Sequence, residues 1–140
     1  MAPQAILIVE DDPNDQELIL RALKRLNLVN PVVMANDGQE ALYILHGTGQ
    51  PLPALVLLDL KLPKINGFEV LAKLRRDQRT RHLPVVILSS SSELEDIQRT
   101  YDTGANSYVR KPVQFDQFVE AIKHLGLYWL IWNEPPPLGK

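Results

Sequence analysis

Five short apolar runs, Ile6–Val9, Val32–Met34, Leu55–Leu58, Val85–Leu88 and Tyr108–Val109, recur along the chain with segments of helical period between them. The third and fourth runs are apolar at every position, as strands covered on both faces are. This alternation predicts an α/β domain, a doubly wound parallel sheet with helices on both sides. Helix starts carry capping residues. Asp12 precedes Pro13, an N-cap followed by a first-turn proline. Asp37 with Glu40, Asn66 with Glu69, and Ser92 with Glu95 have capping-box spacing. Gly104 suits the end of the fourth helix. His46 to Pro53 reads as a longer loop than most, and Pro135-Pro136-Pro137 as an extended terminus.

The same pattern orders the polar residues. Glu10-Asp11-Asp12 follows the first run, Asp59 the third, Ser89 the fourth, and Lys111 the fifth. In a parallel α/β sheet the carboxyl ends of the strands share one edge, where ligands bind. These scattered residues should therefore meet in one pocket. Three adjacent carboxylates repel one another, and a divalent cation such as Mg²⁺ resolves that with oxygen ligands. Asp12 reads as a helix cap. Glu10 and Asp11 taken alone fit a metal pair and a solvated acidic helix start equally well.

Asp59 alone would read as the end of a strand. Its carboxylate oxygen is also a usable nucleophile, as in aspartyl-phosphate intermediates. A cation and Lys111 beside it would offset charge on an incoming phosphoryl group, which is most of phosphoryl-transfer catalysis. The Ser89 hydroxyl can donate to a phosphoryl oxygen, whereas Ser90 to Ser92 read as loop and cap. Lys111 offers a compact point charge, and Pro112 after it favours extended geometry and raises the incidence of a cis bond.

Composition narrows the classes. The chain has 140 residues, 45% of them hydrophobic, enough for one domain with a proper core. It has no cysteine, so no disulfide framework and no thiolate metal site, in keeping with a cytoplasmic setting. A net charge of −2 gives no electrostatic reason to expect nucleic acid or an anionic membrane as partner. No apolar run approaches a membrane span, and the first residues lack a signal-peptide pattern. The basic stretch Arg75-Arg76, Arg79, Arg81, His82 reads as a solvated helix end.

Together, Ile8-Val9-Glu10-Asp11, Leu57-Leu58-Asp59-Leu60-Lys61-Leu62-Pro63, Leu88-Ser89-Ser90 and Lys111-Pro112 resemble the receiver domain of two-component response regulators, over about residues 5–125. The resemblance implies a (βα)₅ sheet in order 2-1-3-4-5, a Mg²⁺ cofactor, and Asp59 as phosphoacceptor and metal ligand. Asp11 would touch the cation directly and Glu10 through water, and the Lys61 carbonyl would complete the protein ligands. Ser89 would be the switch hydroxyl, Tyr108 the switch aromatic and Lys111 the phosphate-binding lysine. A histidine kinase would dock over Asn14, Asp15, Leu18, Arg21 and Ala22 and the Pro112-Val113 loop. Glu10 replaces the aspartate of many members, and Ser89 the commoner threonine. Lys61 stands where other members position hydrolytic water.

A narrower resemblance lies in Tyr128-Trp129-Leu130-Ile131-Trp132-Asn133-Glu134-Pro135-Pro136 and the long loop before the third strand. These are similar to the single-domain regulators paired with bacterial and cyanobacterial phytochrome histidine kinases. The expectation is a receiver over 1–140, with a helical extension and Pro-rich tail over 126–140 and no DNA-binding output domain. Output would be a protein contact or, alternatively, passive phosphoryl relay to a histidine phosphotransfer protein. A haloacid-dehalogenase-type phosphatase would need a second acid two residues after the nucleophile, where this chain has Lys61.

Phe115, Phe118, Ile122, Leu125, Trp129 and Trp132 form a heptad-like stripe. One helix from Gln114 to Trp132 would run about 28 Å and overrun the sheet. The overhang would present Tyr128, Trp129, Ile131 and Trp132 as a homodimer surface, in preference to a tail folded back through Gly126.

Overall fold

Strands β1 (Ile6–Val9), β3 (Leu55–Leu58) and β4 (Val85–Ser89) are buried at every position. Their side chains alternate between two faces, and helices cover both. The computed structural model, which describes residues 4–47, 49, 51–111 and 114–137, places them at the centre of a five-stranded parallel sheet. Its order is β2-β1-β3-β4-β5, as expected. β2 (Val32–Ala35) and β5 (Ser107–Arg110) are the edges. One-sided pairing leaves Val32 and Val33 of β2 exposed.

Period-two alternation splits the core into two layers. Leu7, Val9, Val56, Leu58, Val85 and Ile87 face α2 (Gly38–His46) and α3 (Gly67–Arg76). Ile6, Ile8, Leu55, Leu57, Val86 and Leu88 face α1 (Pro13–Lys24) and α5 (Phe115–Leu127). Ala22 lies fully inside this second layer. It therefore cannot serve the docking surface expected of it, because its methyl faces the sheet.

Three helix starts are capped as the spacing implied. Asp12 accepts from the Asn14 amide, Asp37 from Glu40 and Asn66 from Glu69. Gly104 ends α4 (Leu94–Thr103) in the left-handed region, at φ 116°. The expected cap at Ser92 is not formed. α4 starts after Glu93 with no side-chain cap bond, because Ser91 does that work instead. Its hydroxyl accepts from the Glu93 amide at 3.2 Å and donates to Asp96 at 2.7 Å.

Arg75 also departs from its expected solvated role. Its guanidinium donates to the carbonyls of Gly104, Thr80 and Arg81 and to the Asn106 side chain. Asn106 in turn accepts from the Val85 amide. One arginine thus ties the end of α3 to the starts of β4 and β5. Burial pulls its pKa down.

After α5 the backbone continues into a π-helical turn, Tyr128–Trp132, closed by the Asn133 amide on the Tyr128 carbonyl. Gly126 is not a bend. It is buried within the helix, and a Cβ there would sit 3.0 Å from Leu26. Trp129 corrects the expected overhang. It packs with Leu130 against the α1–α5 layer, although Trp132, the next position of the same predicted stripe, does not follow it inward. Tyr128, Ile131 and Trp132 remain exposed. Among the described residues, no helix is long and apolar enough to cross a membrane.

Candidate functional site

Register decides what meets at the carboxyl edge. Val9 pairs with Leu58, so Glu10 and Asp59 are the next residues of adjacent strands. The Asp59 amide donates to the Val9 carbonyl at 3.0 Å, and the Lys111 amide to the Ser89 carbonyl at 2.9 Å. Residues 101 positions apart in sequence thereby come into contact: Lys111 Nζ lies 2.6 Å from Glu10 Oε1. It is also 2.8 Å from Asp15 Oδ2 and 3.6 Å from Asp59 Oδ2.

Glu10 and Asp59 are only 2% and 8% exposed. Burying carboxylates is costly unless bonds and counter-charge compensate. Glu10 Oε2 accepts from the Asp12 amide and Asp59 Oδ1 from the Leu60 amide. Desolvation, joined by the nearby Asp59 charge, pushes Glu10 up to about 7 despite Lys111. Desolvation also raises Asp59, against Lys111 and the Leu60 and Lys61 amides. Burial pulls Lys111 down, but Asp15, Glu10 and Asp59 together outweigh it and hold the ammonium above its ordinary value.

One carboxylate oxygen each from Glu10, Asp11 and Asp59 falls within a sphere of mutual distances under 4.8 Å. An all-oxygen, acidic donor set suits a hard cation such as Mg²⁺ or Mn²⁺. Glu10 has both oxygens already bonded, to Lys111 and to the Asp12 amide, while Asp11 is exposed. The loop after Asp59 is held close. A Cβ on Gly67 would lie 2.3 Å from the Asp59 carbonyl oxygen, so only glycine lets α3 start against the Asp59 backbone. Lys64 in that loop sits at φ 68°, in the left-handed region, spanned by the Ile65 amide on the Pro63 carbonyl.

The sequence model of the response regulator receiver domain matches residues 6–123. The chain belongs to the response regulator receiver family. A curated relative, the probable methanogenesis regulatory protein FilR2 of Methanothrix harundinacea, is 41% identical over 96% of this chain and 88% of its own length. Among solved structures, the phosphorylated cyanobacterial phytochrome response regulator RcpA superposes with a TM-score of 0.90 at 36% identity, over 97% of this chain and 100% of that one. The bacteriophytochrome response regulator AtBRR is 49% identical, over 94% and 99%, with a TM-score of 0.75. The Mn²⁺-bound form of response regulator Rcp1 gives 0.88 at 31%, over 96% and 100%. The protein is thus a receiver-domain response regulator of a two-component system, and its near structural neighbours include phytochrome-associated regulators.

Within this receiver, the structure brings Glu10, Asp11, Asp59 and Lys111 together, with Ser89 buried at the end of β4. Ser89 Oγ accepts from the Ser91 amide at 3.1 Å, and Tyr108 Oη donates to the Ser91 carbonyl at 2.9 Å. One peptide segment therefore joins the two expected switch residues. Ser90 to Ser92 were read together as loop and cap, and a four-serine run contains no signal that singles Ser91 out. Asp15 was read as a docking residue, but its carboxylate turns onto Lys111. The available signal was its place in the first turn of α1, directly after the acidic cluster.

Asn14 and Arg21 are exposed on α1, and Leu18 is half-buried. Arg21 also stacks over the Phe115 ring at 4.6 Å from its centroid, beside Arg25 at 5.1 Å. Pro112 and Val113, and the geometry of the Lys111-Pro112 bond, lie outside the described residues.

Proposed function

We propose that this receiver accepts a phosphoryl group on Asp59 from a sensor histidine kinase of the phytochrome class, and that phosphorylation changes its protein-contact surface. The observation that carries the reading is a buried Asp59 carboxylate at a strand end, with two carboxylates and one ammonium gathered on it. An Asp59 oxygen would form the new O–P bond as the bond from phosphorus to the donor nitrogen breaks, the electron pair leaving on that nitrogen. Asp11 and Asp59, Glu10 through water, and the Lys61 carbonyl would hold Mg²⁺, which supplies charge neutralisation when bound. Lys111 would bind a phosphoryl oxygen, and Ser89 would donate to another.

Movement of Ser89 toward the phosphoryl group would pull on the Ser91 segment that also holds Tyr108. That link favours a switch over a passive carrier to a histidine phosphotransfer protein. The phytochrome assignment is supported by the likeness to RcpA and AtBRR. The docking face would comprise Asn14, Leu18 and Arg21 with the 112–113 loop. Mg²⁺ with a small phosphodonor should add one phosphoryl group, detected by mass spectrometry and lost in Asp59→Asn. Purified phytochrome kinase should label the protein faster than an unrelated histidine kinase. Equal rates would refute the partner class and leave the acceptor assignment intact.

The exposed Tyr128, Ile131 and Trp132 support a homodimer through the end of α5, two copies about a two-fold axis burying one patch against the other. Exposed apolar patches of this kind mark interfaces. Sedimentation of wild type as a monomer at tens of micromolar, phosphorylated or not, would refute it.

A further inference from the structure

Resting on the phosphoacceptor reading above, we infer that Asp15 is a resting-state latch on Lys111, a positioning residue that holds the ammonium away from the acceptor until a phosphoryl group outbids it. A lysine ammonium has three donors and no acceptor. Two are committed at charge-assisted distances, to Glu10 at 2.6 Å and to Asp15 at 2.8 Å. Asp59 Oδ2, at 3.6 Å, is beyond hydrogen-bond reach. The Asp15 carboxylate stands outside the oxygen cluster of Glu10, Asp11 and Asp59.

The two carboxylates that hold Lys111 differ in freedom. Glu10 is buried, and its second oxygen is anchored by the Asp12 amide. Asp15 sits in the first turn of α1 with its side chain 31% exposed, so water can take over when Lys111 leaves it. The Asp15 bond is therefore the one given up when the ammonium turns to a phosphoryl oxygen. A contact made in one state and lost in the other biases the equilibrium toward the state that keeps it. Asp15 thus sets how strong a phosphoryl ligand must be to capture Lys111. An ion pair whose carboxylate is partly exposed, so that water can replace its partner, is worth little individually, so the bias should be about two- to tenfold.

Beryllofluoride, a non-covalent phosphoryl mimic, tests this at saturating Mg²⁺ with tryptophan fluorescence as readout. Asp15→Asn should bind it about two- to tenfold more tightly than wild type. The gain should vanish in a Lys111→Gln background, which a purely structural role for Asp15 would not produce. In metal-free protein, the ¹⁵N-labelled Lys111 ammonium should exchange its protons faster in Asp15→Asn, and this readout decides the matter if the Lys111 variant does not fold. Unchanged or weaker binding by Asp15→Asn, an equal gain without Lys111, or unaltered ammonium exchange would overturn the latch. Wild type that fails to bind beryllofluoride would overturn the phosphoacceptor reading itself.

Discussion

Glu10 and Asp59 lie 2% and 8% exposed at the carboxyl edge of the sheet, whereas Tyr128, Ile131 and Trp132 lie 51%, 62% and 75% exposed at the end of α5. One region buries acids and the other leaves aromatic and aliphatic side chains in water. Each departs from ordinary partitioning, but the compensation differs. At the acidic edge the chain supplies its own: the Lys111 ammonium and the amides of Asp12 and Leu60. At the end of α5, Trp129 and Leu130 find partners in the chain's own core and the next two residues do not. Buried charge here belongs to a site largely complete within the domain. The exposed apolar surface is the one that the proposed homodimer would cover.

The acidic edge breaks first if Asp59 is changed. Asp59→Asn should reduce Mg²⁺-dependent labelling by a small phosphodonor to background, measured by intact-mass spectrometry, while the thermal transition persists. Labelling retained at the wild-type level would place the acceptor elsewhere.

Within the last helix the contrast sharpens to adjacent turns. Trp129→Ala should cost about 2 kcal/mol of stability, since a half-buried aromatic leaves the core. Trp132→Ala should stay within about 0.5 kcal/mol and act on association instead, read by denaturant melts alongside sedimentation. A truncation after Leu125 would remove both kinds of residue at once, so the single substitutions are the cleaner comparison.

The buried acid should also set a pH dependence. Glu10 titrates near 7 in the folded chain against an ordinary value of 4.5, so the folded state holds its proton more tightly. Its contribution to metal-free stability is therefore greatest at low pH and is lost as pH rises from about 4.5 to about 7. A cation competes with that proton. Mn²⁺ affinity should weaken by about tenfold per pH unit below 7, measured by calorimetric titration at fixed ionic strength. A flat profile would show that Glu10 does not participate.

A modest effect is expected next door. Asp12→Ala should cost about 1 kcal/mol through the lost bond to the Asn14 amide. Cation affinity should change far less than in Asp11→Ala. The reverse order would exchange the roles of the two aspartates.

Strand positions were legible because the central strands are apolar at every residue but the terminal Ser89, a demand imposed by cover on both faces. β5 was the hardest: only Tyr108 and Val109 of Ser107–Arg110 are apolar, as an edge strand permits. Caps at Asp12, Asp37 and Asn66 were legible because each bond spans two or three residues. The Ser92 cap was misplaced because four consecutive serines offer the same hydroxyl, and only the path of the loop selects Ser91. Arg75 looked like part of a solvated basic run, since sequence does not show that β4 and β5 begin beside it.

By itself, then, the sequence determined the alternation of strands and helices, the edge at which the acids and the lysine gather, and the family. Those depend on short-range periodicity and on the rule that parallel strands end together. Only the tertiary structure decided that Asp15 faces Lys111, that Ala22 faces the sheet, and that Trp129 turns inward while Trp132 does not. Each of those depends on helix phase relative to a neighbouring element. A rotation of one residue, 100° on a helix of 3.6 residues per turn, exchanges core for solvent without altering the pattern that predicts the helix.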